Sequence, residues 1–191
     1  IAPIGGLIVG LLLTGLIITI FANRKPAPVN KTFGRLQIIS SAWFALTHGA
    51  NDGQKTMGII ALILFSTGMI PELDIPLWVI FAAAAAMGLG TFFGGYKVIK
   101  TLGVKITKLK PYQGFAAETG GGIMLAAFAV LGIPASTTHA ITGTIMGSGA
   151  ARRKRAVRWK VSRQIIFSWI ITIPGAAGLG IGFTYLIHLF V

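Results

Sequence analysis

The chain has 191 residues, 54% of them hydrophobic and 11% charged, with a mean hydropathy of +0.79, more apolar than a water-soluble domain. A formal charge of +13 invites a nucleic-acid reading, but 16 of the 17 Lys and Arg lie between apolar runs, in segments 24–35, 97–110 and 151–163. That distribution argues against a nucleic-acid patch and matches the positive-inside pattern of a membrane protein; the absence of cysteine excludes disulfides and thiolate metal sites.

In chain order, residues 1–21 are long enough to cross a hydrocarbon core of about 30 Å, which takes about 20 residues as helix. This run has neither an initiator Met nor a basic leader and is too long for a signal peptide. It is predicted as a transmembrane helix of a chain that starts partway through a protein. If the three basic segments are cytoplasmic loops, residues 1–21 run inward and 36–67 return outward. Segment 68–74, with Glu72 and Asp74 beside Pro71 and no basic residue, is then the external loop. Residues 75–96 lead back inside.

Segment 111–151 starts and finishes inside, so it is predicted as a hairpin turning at Gly132-Ile133-Pro134. Its second arm, from Ala135 to about Ala150, is short for a full crossing. A re-entrant hairpin turning near the midplane is therefore favoured over two full crossings, because irregular backbone is tolerated there when it lines a polar cavity. Residues 164–191 go outward. Pairs Gly6/Gly10, Gly90/Gly94, Gly143/Gly147 and Gly178/Gly182 fit GxxxG and suit close packing in lipid, without bearing on function. The expected fold is an all-α membrane protein, a helix bundle in one transmembrane domain over 1–191, with a broken helix and a re-entrant hairpin.

Once the loops have claimed their charges, only Asp52, Lys55 and Glu118 remain at membrane depth. A charge at the bilayer centre costs about 2.5–3.5 kcal/mol on insertion scales, so these residues mark a functional site, with a structural Asp52–Lys55 pair one helical turn apart as the alternative. Two glycines flank Asn51-Asp52, which predicts a helix break facing a cavity. There the Asp52 carboxylate, the Asn51 amide oxygen and freed carbonyls offer hard oxygen ligands to a coupling cation, or Asp52 takes up a proton. In Pro134-Ala135-Ser136-Thr137-Thr138-His139, Ser136 suits an N-cap, with an apolar helix from Ala140. A half-helix starting at depth presents N–H groups and hydroxyls to an anion; a capped turn at the outer surface is the competing reading. Glu118 can receive a proton, bind a cation or pair with Lys55. His48 reads as a helix-packing hydrogen bonder and His188 as interfacial. No catalytic triad, metal cluster or nucleophile elbow is recognisable, which points away from an enzyme.

The stretches HGANDGQKTMG (48–58), AAETGGG (116–122) and IPASTTHAITGTIMGSGAARR (133–153) resemble the inorganic phosphate transporter (PiT) family, specifically the C-terminal repeat of its bacterial members, across essentially the whole chain. The resemblance implies one half of an inverted-repeat carrier in the inner membrane, crossing it several times. Its missing partner would be the N-terminal repeat of the same carrier, and it leaves room for a homo-oligomer. It implies inorganic phosphate as substrate, membrane lipid as surroundings, and no cofactor beyond a coupling proton or sodium ion. Carried over, Asn51, Ser136, Thr137 and Thr138 line the phosphate with Gln54 and Lys55, and Asp52, Asn51 and Glu118 serve the coupling ion. Many family repeats read GANDVANA, with Asn where this chain has Lys55. The GANDGQK form resembles a branch described as proton-coupled and able to accept metal-phosphate complexes, which favours protons over sodium. Sulfate carried by the same machinery is the nearest rival.

Overall fold

The computed structural model describes residues 1–189. Six α-helices follow one another: α1 (Ala2–Ile20), α2 (Pro26–Ser66), α3 (Leu77–Lys100), α4 (Pro111–Val130), α5 (Thr137–Arg152) and α6 (Trp159–His188). No strand occurs among the described residues. A π-helical turn, Thr101–Ile106, extends α3, and a 3-10 turn, Lys154–Ala156, follows α5. Three of these helical stretches, Ala2–Ile20, Leu77–Ile106 and Trp159–His188, are long and apolar enough to cross a membrane. The last starts before residue 164, and Phe190 and Val191 lie outside the described residues. The chain forms two compact units, Ile1–Val157 and Arg158–Val191.

Proline opens several of the helices and glycine closes two of them. Pro26 and Pro111 occupy first-turn positions, where a missing N–H is harmless. Gly68 and Gly132 end α2 and α4 in the left-handed region, at φ 72° and 66°. The following N–H groups of Met69 and Ile133 donate back to the Leu64 and Phe128 carbonyls at 2.9 and 2.8 Å, which makes each end a Schellman motif.

Two expectations are corrected. The basic segments are largely helix ends, not loops: residues 26–35 form the first turns of α2, and 97–100 and 159–163 belong to α3 and α6. Lys and Arg are good helix formers, and a helix can run past the apolar layer. The 41 residues of α2 measure about 60 Å, twice the hydrocarbon thickness.

The predicted break at Gly49–Gly53 is absent, and α2 is continuous through both glycines. Two helical glycines cost about 2 kcal/mol together. Releasing backbone groups in a lipid environment costs several kcal/mol for each unsatisfied group. The unbroken helix wins because its polar side chains are satisfied without opening the backbone: the Thr47 and Thr56 hydroxyls donate to carbonyls one turn earlier, at 3.2 and 3.3 Å.

Within the first unit the α4–α5 hairpin sits between α1, which packs on α5, and α2, which packs on α4; α3 lies against α2. Two of the four GxxxG pairs meet in a single contact. A Cβ on Gly6 would stand 2.5 Å from the Ala140 carbonyl oxygen, and one on Gly10 would overlap the Thr144 carbonyl. Reciprocally, a Cβ on Gly143 or Gly147 would strike the Pro3 or Leu7 carbonyl. The matching order shows that α1 and α5 run parallel. A Cβ at Gly90 or Gly94 would meet nothing.

Candidate functional site

Asp52 lies on the α2 face that meets the hairpin, where its carboxylate is shared among three neighbours. Oδ2 accepts from the Thr137 hydroxyl at 2.8 Å, and Oδ1 accepts from the Lys55 ammonium at 2.9 Å. Nδ1 of His48 stands 3.5 Å from Oδ2, and its ring stacks on Phe44. Lys55 also donates to the Ala135 carbonyl in the hairpin turn. Helical periodicity explains the convergence, since positions 48, 52 and 55 share one face at i, i+4 and i+7. The Asp52 side chain keeps 27% of its exposure and that of Lys55 keeps 36%, so the pair is not in a sealed core, and Lys55 lines an adjoining opening.

That opening is a cavity of about 190 Å³ between α2 and the end of α4, with Asn51, Gln54 and Lys55 on one side and Phe128, Gly132 and Pro134 on the other. Asn51 is buried, and its amide donates to the Leu125 carbonyl at 3.4 Å. That bond ties α2 to α4 at this level.

Ser136 is the N-cap of α5, and its hydroxyl accepts from the His139 N–H at 3.4 Å. The helix begins at Thr137 rather than Ala140. Thr137 and Thr138 therefore supply first-turn N–H groups, where the helix dipole favours negative charge. Thr137 is buried against Asp52, whereas Thr138 is exposed, as is Gln54. The structure thus brings Asn51, Asp52, Lys55 and Thr137 together, with Gln54 at the rim and Ser136 behind them as the cap.

Glu118 stands apart from this cluster and does not pair with Lys55. Its carboxylate accepts from the Ser40 hydroxyl at 2.6 Å and from the Gln37 amide at 3.2 Å. Both donors lie on α2, well before Asn51. The opposite charges do not meet because α2 and α4 run parallel, with Ser40 level with Glu118 and Asn51 level with Leu125. Sequence reasoning missed Gln37, Ser40 and the Ala135 carbonyl, and it gave His48 only a packing role. The signal for Ser40 was present: Phe33, Ser40, Thr47 and Asn51 are the buried positions of one α2 stripe, at a spacing that faces a single neighbour.

A sequence profile described as the phosphate transporter family matches residues 1–180. Relatives named as probable low-affinity inorganic phosphate transporters include one from Rhizobium meliloti (strain 1021), 51% identical over 90% of this chain and 52% of its own length. Another, from Bacillus subtilis (strain 168), is 41% identical over 94% of this chain and 54% of its own. A solved structure titled the sodium-dependent phosphate transporter superposes with a TM-score of 0.69 at 27% identity, covering 91% of this chain and 52% of that one. The chain spans about half the length of these relatives. On the profile match, the motifs and the all-helical architecture together, it belongs to the phosphate transporter family.

Proposed function

We propose that this segment forms half of the pathway by which a carrier moves inorganic phosphate across the inner membrane by cation symport, with the proton as coupling ion. The observation that carries the reading is the ammonium of Lys55 held between the Asp52 carboxylate and the Ala135 carbonyl, beside the cavity. Asp52 and Lys55 neutralise each other, which lowers the cost of both charges at depth. Protonation of Asp52 removes the partner of Lys55 and frees its ammonium for an anion. One proton then accompanies one added negative charge, and phosphate enters low dielectric compensated. Thr137 and the first-turn N–H groups of α5 add donors on the hairpin side. Phosphate bound to a divalent metal would bring part of its own compensation and use the same site.

A sodium-coupled reading is favoured by the relative titled sodium-dependent. It requires Lys55 to leave Asp52, since ammonium and metal ion compete for one carboxylate. The deciding experiment is uptake of labelled phosphate into proteoliposomes holding the full-length carrier. An inward proton gradient without sodium drives accumulation, and Asp52→Asn abolishes it; a strict sodium requirement overturns proton coupling. Strong competition by sulfate, with weak phosphate uptake, would reassign the substrate.

A further inference from the structure

A second cavity, of about 220 Å³, lies where the end of α1 meets the starts of α2 and α4, far along both helices from Asp52. Its walls divide by chemistry. Ile17, Ile18, Phe21 and Val29 form an apolar side, and Arg24 and Lys110 bring two cations to the other. Among the described residues neither cation has a carboxylate within ion-pair reach. Asn30, also in the wall, holds a buried amide oxygen with no hydrogen-bond partner, an arrangement that is costly unless a donor arrives.

The walls are fixed relative to one another. Phe21 packs edge-on against Phe33 at 5.4 Å, and Phe33 against Phe115 at 5.3 Å, linking the three helices. The Lys110 N–H is held by the Gln113 side chain at 3.0 Å. The depth is set by α1, whose 19 mainly apolar residues, Ala2–Ile20, span about 28 Å and so place Phe21 and Arg24 at the edge of the hydrocarbon layer. Above that edge α1 keeps Leu12, Leu16 and Ile20 exposed at 56–67%, an apolar track leading away from the cavity.

We propose that this cavity binds the headgroup of an anionic phospholipid, with its phosphodiester on Arg24 and Lys110, a headgroup hydroxyl donating to Asn30, and an acyl chain along α1. Basic pockets between membrane helices recognise anionic headgroups in this way. Free inorganic phosphate shares the charge and the donor, but it has no use for the apolar wall.

The test counts lipids bound to the purified full-length carrier by native mass spectrometry, with phosphatidylglycerol and phosphatidylcholine of matched chains. One saturable phosphatidylglycerol above phosphatidylcholine is expected, undisplaced by millimolar inorganic phosphate. Arg24→Ala with Lys110→Ala weakens it by about tenfold or more, and Arg153→Ala with Arg155→Ala, which removes the same charge elsewhere, leaves it intact. Equal loss in that control, displacement by phosphate or no headgroup preference overturns the proposal. Should the alanine pair not fold, Ile18→Trp fills the cavity with both cations kept and must lose the lipid, while Arg24→Lys with Lys110→Arg must retain it; the opposite result in either variant overturns the site.

Discussion

Lys55 donates to a carboxylate on its own helix and to a carbonyl in the hairpin turn, so its substitution acts on two elements together. Lys55→Met leaves Asp52 facing His48 and Thr137 alone. Breaking a fully buried ion pair costs about 3–5 kcal/mol; with about a third of each side chain exposed here, roughly 1–2 kcal/mol is expected. Asp52→Asn keeps an acceptor for Thr137 and costs less. The double variant Lys55→Met with Asp52→Asn recovers part of the single loss, because no unpaired charge remains. Thermal unfolding of the four full-length proteins in detergent gives the coupling directly, and strictly additive losses would mean that the pair is not formed. His48 had a readable signal, lying four residues before Asp52, but i, i+4 spacing does not say whether a ring meets a carboxylate or a neighbouring aromatic; here it meets both.

At the level of helices, the parallel contact of α1 with α5 is set by glycines where any Cβ would collide with main-chain oxygen. Gly10→Val is expected to cost about 2 kcal/mol or more through forced separation of the backbones. Gly94→Ala, in a position facing open space, leaves the unfolding midpoint unchanged or slightly raised, since alanine is the better helix former. Equal effects at the two sites would contradict the packing. The four GxxxG matches were equivalent as sequence, and only the fold separates Gly6, Gly10, Gly143 and Gly147 from the pairs with no partner in contact. The hairpin was legible because Gly132 and Pro134 leave the chain few alternatives to a turn. The continuity of α2 was not, because the local penalty of Gly49 and Gly53 is visible in sequence, whereas the satisfaction of Asn51 by Leu125 and of Asp52 by Thr137 is a tertiary fact. Sequence could not sort the alternatives for Glu118, of which pairing with Lys55 is not formed, for the same reason: the level of one helix against another is not written in either.

For the molecule as a whole, the three basic segments predict an orientation, and the chain's lack of cysteine makes it testable by single-cysteine labelling in a cysteine-free full-length carrier. Lys108→Cys and Arg155→Cys are expected to react only from the cytoplasmic side, and Leu73→Cys only from outside; the reverse pattern would invert the topology. Ile133→Cys at the hairpin turn separates the two forms of that element. Slow labelling from outside, protected by phosphate, accompanies a re-entrant turn, and labelling as fast as at Leu73→Cys accompanies a full crossing.

The length of α2 carries a mechanical consequence. Because the helix is unbroken from Pro26 to Ser66, rotation beside the cavity at Asn51 is transmitted to the Pro26 end without a joint to absorb it. Asn51 stands 25 residues, or about 37 Å, from the Pro26 end. A tilt of about 10° pivoting there sweeps that end through about 6 Å, comparable to one helical turn. With the same pivot Lys55, four residues along the helix, moves by only about 1 Å, so the long arm amplifies a small shift at that residue about sixfold.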